Sequence, residues 1–144
     1  MTDRLADAET LFRDFARRHS FVIENMDEPN VDLLMRMPRQ PGLSFELTLG
    51  LQNIDELNIG FEKFWSYFFP FDHTRQIVSD ALDALATGEC RLAIHKQMGG
   101  VFKRVLEQRV DGQWITIYTA HSFPKIPFVS KKVLYLYNED ARRR

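Results

Sequence analysis

The stretch Val101-Phe102-Lys103-Arg104-Val105-Leu106-Glu107-Gln108-Arg109-Val110-Asp111-Gly112-Gln113-Trp114-Ile115-Thr116-Ile117-Tyr118-Thr119-Ala120 reads as two β-strands around a turn. Asp-Gly is the pair that a two-residue hairpin turn favours, because both of its central positions take positive φ. Outward from there, Gly99-Gly100 reads as the preceding turn and Cys90 to Gln97 as the preceding strand, and Lys132 to Tyr137 supplies one more strand. Successive strands joined by two-residue turns run antiparallel, so the C-terminal half is an antiparallel sheet.

The N-terminal half carries the same period. Val31 to Met37 and Leu43 to Leu49 alternate around a turn at Pro38 to Gly42. A hairpin there is expected to pair Met35 with Phe45, Leu33 with Leu47 and Val31 with Leu49 on the buried face. Phe21 to Ile23 and Glu56 to Phe61 complete four strands. Two segments repeat at helical spacing instead. From Asp3 to His19, Leu5, Ala8, Phe12 and Phe15 form one stripe, with Thr2 or Asp3 available as the cap. From His73 to Ala86, Ile77, Val78, Ala81, Leu82 and Leu85 form another, with Asp72 as the expected cap and Gly88 as the stop. The fold class is therefore α+β: about eight antiparallel strands in one or two sheets, with two helices packed on one face. The order α-ββββ-α-ββββ makes residues 1–144 a single domain of two pseudo-duplicated halves, 1–72 and 73–144, with 139–144 as a frayed tail.

Composition fixes the broad class. A chain of 144 residues that is 44% hydrophobic and 27% charged is an ordinary soluble domain. A single cysteine, Cys90, excludes an intrachain disulfide and suits a reducing compartment, so the cytoplasm is expected. The longest run without a formal charge is Gly112 to Pro124, thirteen residues, against the ~18 that a membrane helix needs, so no membrane partner is expected. The charged N-terminus lacks the apolar core of a secretory signal. A net charge of -1 argues against a domain built to bind nucleic acid. The charge is nonetheless polarised: 13 acidic and 7 basic residues lie in 1–72, against 7 acidic and 12 basic in 73–144. That asymmetry describes either two complementary halves or a polar molecule that self-associates or meets an anionic ligand.

The chain holds no phosphate-binding glycine loop, dinucleotide fingerprint, zinc helix, EF-hand loop or paired-cysteine site. His19, His73, His95 and His121 have no short metal-ligand spacing, so neither a metal nor a cofactor is expected. Cys90 and His95, five residues apart on one strand, point to opposite faces and read as a buried thiol and an independent imidazole. With Gly99-Gly100 and Asp111-Gly112 as the two turns, His95, Arg104 and Thr119 are expected in one row across three strands, with Gln97 and His121 nearby. An imidazole, a guanidinium and a hydroxyl in a row are an anion-binding set. The plain alternative is a scatter of polar groups on a solvated face.

The segment from Phe61 to Phe71 places 7 of the chain's 18 aromatic residues in 11 positions. No single strand or helix face can bury them all. Beyond those that plug the core, Phe64, Trp65, Tyr67, Phe68, Phe69 and Phe71 are candidates for a partner surface, since aromatic side chains give large contact area at low entropic cost. These features describe a small binding or accessory protein that acts through protein–protein association, as a homodimer or with a partner. The alternative is a small-molecule-binding protein or enzyme centred on His95, Arg104 and Thr119.

Overall fold

A computed structural model describes residues 3–141 as an α+β fold of two helices and nine strands. The order is α1 (Arg4–Arg18), β1 (Glu24–Asn25), β2 (Leu33–Met37), β3 (Leu47–Gln52), β4 (Glu56–Phe61), β5 (Phe64–Trp65), α2 (Phe71–Thr87), β6 (Cys90–Gln97), β7 (Gly100–Val110), β8 (Gln113–His121) and β9 (Lys131–Tyr137). The strands form two antiparallel sheets, one ordered β1-β2-β3-β4-β5 and the other β8-β7-β6-β9. The first is a simple meander, whereas in the second the last strand returns to lie beside β6. The first helix is thus followed by five strands and the second by four, in different topologies, and the expected repeat α-ββββ-α-ββββ does not appear.

The helices form where the stripes require them. Asp3 caps α1 by accepting from the Ala6 amide at 3.2 Å, and Ala8, Phe12, Phe15 and Ala16 are buried beneath it. The start of α2 differs from expectation. The helix begins at Phe71 after a cis Phe69-Pro70 bond, and its N-cap, Pro70, has no side-chain bond to offer. Asp55, from the turn between β3 and β4, does the work instead. Its carboxylate accepts from the Phe71 amide at 3.1 Å and from Arg4 at 2.6 Å. Asp72 lies in the first turn, where a carboxylate suits the helix dipole, and reaches Arg4 at 3.3 Å. At its other end α2 stops at Gly88, whose φ of 81° is the left-handed conformation that glycine adopts without penalty.

The hairpin of β2 and β3 also forms in a different register. Met35 pairs with Leu49, Leu33 with Leu51 and Met37 with Leu47. Pro38 to Glu46 is a long connection closed internally by Gln40 and Leu43, not a tight turn, and the pairing slides by four residues. An even slide keeps every side chain on its expected face, so Met35, Leu47 and Leu49 are fully buried, and so is Phe45 in the connection.

One core joins both sheets. It includes Phe12 and Phe15 of α1, Met35, Leu49 and Ile59 of the first sheet, Val78, Leu82 and Leu85 of α2, and Leu92 and Leu106 of the second. Two polar devices lock the layers. Arg18 and His19 converge on Asp83 of α2, at 3.0 and 2.7 Å. One turn further along α2 lies the second device, Asn138, which is 2% exposed and follows β9 directly. Its amide nitrogen donates to Gly42 O at 2.7 Å and Ala86 O at 2.9 Å, and its oxygen accepts from the amides of Ser44 and Asp140. The Glu139 amide continues the link to Ser44 Oγ, so residues 139–141 are held against the body, and Arg142 to Arg144 lie outside the described residues.

Asn138→Ala should therefore leave four backbone groups without that partner, at Gly42, Ser44, Ala86 and Asp140, and lower the unfolding free energy by about 2 kcal/mol or more. Urea denaturation of the two proteins checks this. A loss below about 0.5 kcal/mol, within the range of ordinary surface substitutions, would mean that water replaces the side chain.

Candidate functional site

The second sheet carries the residues of interest, and its two turns set what meets what. Asp111 and Gly112, at φ 51° and 79°, form the expected two-residue turn and pair Val110 with Gln113. The other turn sits one residue earlier than expected. Met98 and Gly99 form it at φ 49° and 78°, and Gln97 pairs with Gly100. A bulge at Phe102 then shifts the ladder, so that His95 faces Lys103 and Ile94 faces Arg104. A second bulge, at Ile117, brings Thr119 opposite Val105 and His121 opposite Lys103.

This register separates the expected row. Arg104 belongs to the inner face with Ile94 and Ala120, while His95, Thr119 and His121 belong to the outer face. Thr119 is one row removed from His95, and Gln97 is committed to a loop described below. His95 and Arg104 thus lie on opposite sides of the sheet. The physical cause is the net displacement of one residue between β6 and β7, which flips every β7 side chain relative to β6.

The outer face has its own order. Across the sheet run Thr116, Glu107, Arg91 and Tyr137; then Thr119, Val105, Ala93 and Tyr135; then His121, Lys103, His95 and Val133. The Arg91 guanidinium is held between the rings of Trp114 and Tyr135, 3.9 Å from each centroid, and its Nε donates to Glu107 at 2.8 Å. Stacking on both planes and a carboxylate at the edge occupy this cation fully. Under it Ala93 and Val105 are buried outside the main core. His95 meets the Phe102 ring edge-on at 5.9 Å. Partial burial first, then the Lys103 and Lys125 charges, hold its imidazole below the ordinary range, with Glu107 opposing them. Cys90 is buried on the other face, and burial pushes its thiol up to about 12.

The aromatic connection is divided between core and surface. Phe64, Phe68 and Phe71 are buried in the core with Phe61, which removes them from any partner surface. Phe64 and Phe68 both pack against Tyr118 of the second sheet. Trp65 is half-buried and lies over Gly60, where even a Cβ would come within 2.4 Å of the indole. Tyr67 and Phe69 remain exposed. Trp65 also borders a cleft of about 680 Å³ that includes Arg36 and Arg39. Arg36 there is already tied to Glu24 and Glu46.

Two exposed features were not singled out from the sequence. β9 is an edge strand with apolar residues on both faces, Val133, Leu134, Tyr135 and Tyr137 all being exposed. The loop before it exposes Phe123, Ile126 and Phe128 beside a cleft of about 510 Å³ lined in part by Phe102, Lys103 and His121. A signal existed: no Asp or Glu occurs between Gly112 and Asn138. Among the described residues no group of three or more His, Cys, Asp or Glu side chains could hold a metal ion, and no helix is long and apolar enough to cross a membrane. No family model, curated protein or solved structure matches the chain.

Two outcomes follow from the protonation states. Cys90 should resist alkylation by iodoacetamide in the native protein and react once urea unfolds it; fast labelling without denaturant would contradict a buried thiol. His95, with a lowered folded pKa, favours the fold when neutral. Its contribution is full above the ordinary value of about 6.5 and is lost as pH falls from there through the folded pKa. Unfolding free energies measured from pH 7 to 5 should thus fall more steeply for the wild type than for His95→Gln, and parallel curves would refute the assignment.

Proposed function

We propose that the protein is a non-catalytic association module whose copies pair through β9, in the cytoplasm. The observation that carries this reading is the exposed edge. Lys131 to Tyr137 is bonded to β6 on one side, and the sheet ends there. Its other side has no strand partner among the described residues, and Val133, Leu134, Tyr135 and Tyr137 flank it at 36 to 50% exposure. An edge strand of this length with apolar side chains on both faces invites pairing with another strand.

A second copy is the occupant best matched to this strand. In an antiparallel two-fold pair centred on Leu134, Leu134 meets its own counterpart and Val133 meets Tyr135, which are favourable cross-strand pairs. Lys131 and Lys132 then face Tyr137 and Leu136, so like charges stay apart and each lysine stem covers apolar surface. A lone, buried cysteine supports a reducing, cytoplasmic setting. Separation of His95 from Arg104 favours binding over catalysis on this sheet.

Light scattering over a range of protein concentrations tests the reading. The wild type should approach twice the chain mass, and Leu134→Lys or Tyr135→Lys should return a folded monomer with unchanged circular dichroism. Phe69→Ser, on the aromatic connection, should leave the mass unaltered. A wild type that stays monomeric at every concentration would overturn the proposal.

A further inference from the structure

At one end of the second sheet, the turn Met98-Gly99 and the connection from Ser122 to Ser130 come together, because Gln97 pairs with both Gly100 and Lys131. The connection is firmly held. Gln97 is buried, and its side-chain amide donates to Pro124 O at 2.8 Å and accepts from the Ile126 amide at 2.9 Å. Lys131 Nζ donates to the carbonyls of Ile126 and Val129 at 2.6 and 2.7 Å. The backbone is therefore fixed while its large apolar side chains turn outward. Phe123 is 67% exposed, Phe128 105% and Met98, on the neighbouring turn, 76%. Phe128 even adopts a φ of 65°, a left-handed conformation that a residue with a Cβ rarely takes.

The charge around these tips has one sign. Lys96, Lys103, Arg104, Lys125, Lys131 and Lys132 belong to this end of the sheet, and no Asp or Glu occurs in 90–106 or 112–138. Among the described residues none of the six cations has a carboxylate partner.

We infer that this end of the molecule docks on an anionic lipid bilayer, Phe123, Phe128 and Met98 entering the headgroup region and the lysines meeting acidic headgroups. Exposed apolar tips ringed by lysine fit a deformable interface, in which the tips reach the acyl boundary and the lysine stems keep their ammonium groups among the phosphates. A protein partner fits less well, since lysine is depleted from protein interfaces and arginine enriched, and five of these six cations are lysine. Nucleic acid accounts for the lysines but not for the exposed Met98, which offers a base no ring to stack on. The inference does not require pairing through β9, so a monomeric wild type would leave it standing.

The test is co-sedimentation of the full chain with vesicles of pure phosphatidylcholine and of equal parts phosphatidylcholine and phosphatidylserine, at low and high salt. The wild type should bind the anionic vesicles and not the neutral ones, and high salt should release it. Phe123→Ser/Phe128→Ser and, separately, Lys125→Glu/Lys132→Glu should each lower the bound fraction by about tenfold while circular dichroism stays unchanged. Failure of the wild type to bind anionic vesicles would overturn the inference. So would equally tight binding to polyglutamate or to a single-stranded oligonucleotide that the phenylalanine variant retains, since that is the behaviour of a general polyanion surface.

Discussion

Helix α2 has to be buried on more than one side, and the rest of the molecule is arranged around that requirement. It packs against β4 of the first sheet, β6 and β7 of the second, and α1. Ala81, Ala84 and Ala86, all buried, thin the helix where the neighbours close in. The start of the helix has no cap of its own and borrows Asp55, and its end is tied through Ala86 O to Asn138. Both sheets spend their inner faces on this helix and the shared core. What is left for recognition is the outer faces, the edges and the loops, and it is there that the unusual side chains collect.

Most of the fold was legible because it is written in periodicity. The stripes of α1 and α2, the strands β4, β6, β7 and β8 and the Asp111-Gly112 turn were all visible in the sequence, since burial on one face imposes a period of 3.6 or 2. The hairpin of β2 and β3 shows how far that information reaches. Its register slid by four residues, yet Met35, Phe45, Leu47 and Leu49 stayed buried while Val31 and Leu33 are only half-buried, because a face pattern specifies parity and not position. The cap of α2 was misplaced for a different reason. Asp72 is the nearest carboxylate in sequence, while Asp55 is the one that the β3–β4 turn brings to the helix start, and only tertiary structure supplies that knowledge.

The candidate site failed where parity failed. The row of His95, Arg104 and Thr119 assumed that Gly99-Gly100 forms the turn and that the strands run without interruption. Met98-Gly99 is the better turn once Gln97 must pair with Lys131 as well as Gly100, and Phe102 bulges to absorb the remaining mismatch. A one-residue bulge reverses the face of everything beyond it. It put Lys103 beside His95 and sent Arg104 inward. The same uncertainty hid the stack of Trp114, Arg91 and Tyr135, whose members come from three strands and share no local pattern. The aromatic connection was ambiguous for another reason: hydrophobicity says that a residue wants burial, not that the single chain provides it. There β5 and the bridge from Leu57 to Phe68 bury Phe64 and Phe68 and leave Tyr67 and Phe69 outside.

The polarity of the chain acquires a physical meaning in this arrangement. Many acidic side chains of the N-terminal half are consumed internally, Asp55 and Asp72 by Arg4, Glu24 and Glu46 by Arg36, Glu9 by Arg13. Among the described residues the cations at the Met98 end of the second sheet have no such partners. Lys131 alone among them serves the fold, by bonding the loop carbonyls beside the neutral amide of Gln97, and the other like charges repel one another without a compensating contact to a carboxylate. Beside this cluster the chain leaves Phe123 and Phe128 in water, on a backbone too well held to fold them away. Neither feature is explained by stability, and each becomes favourable only when a surface that is both anionic and apolar is brought against that end.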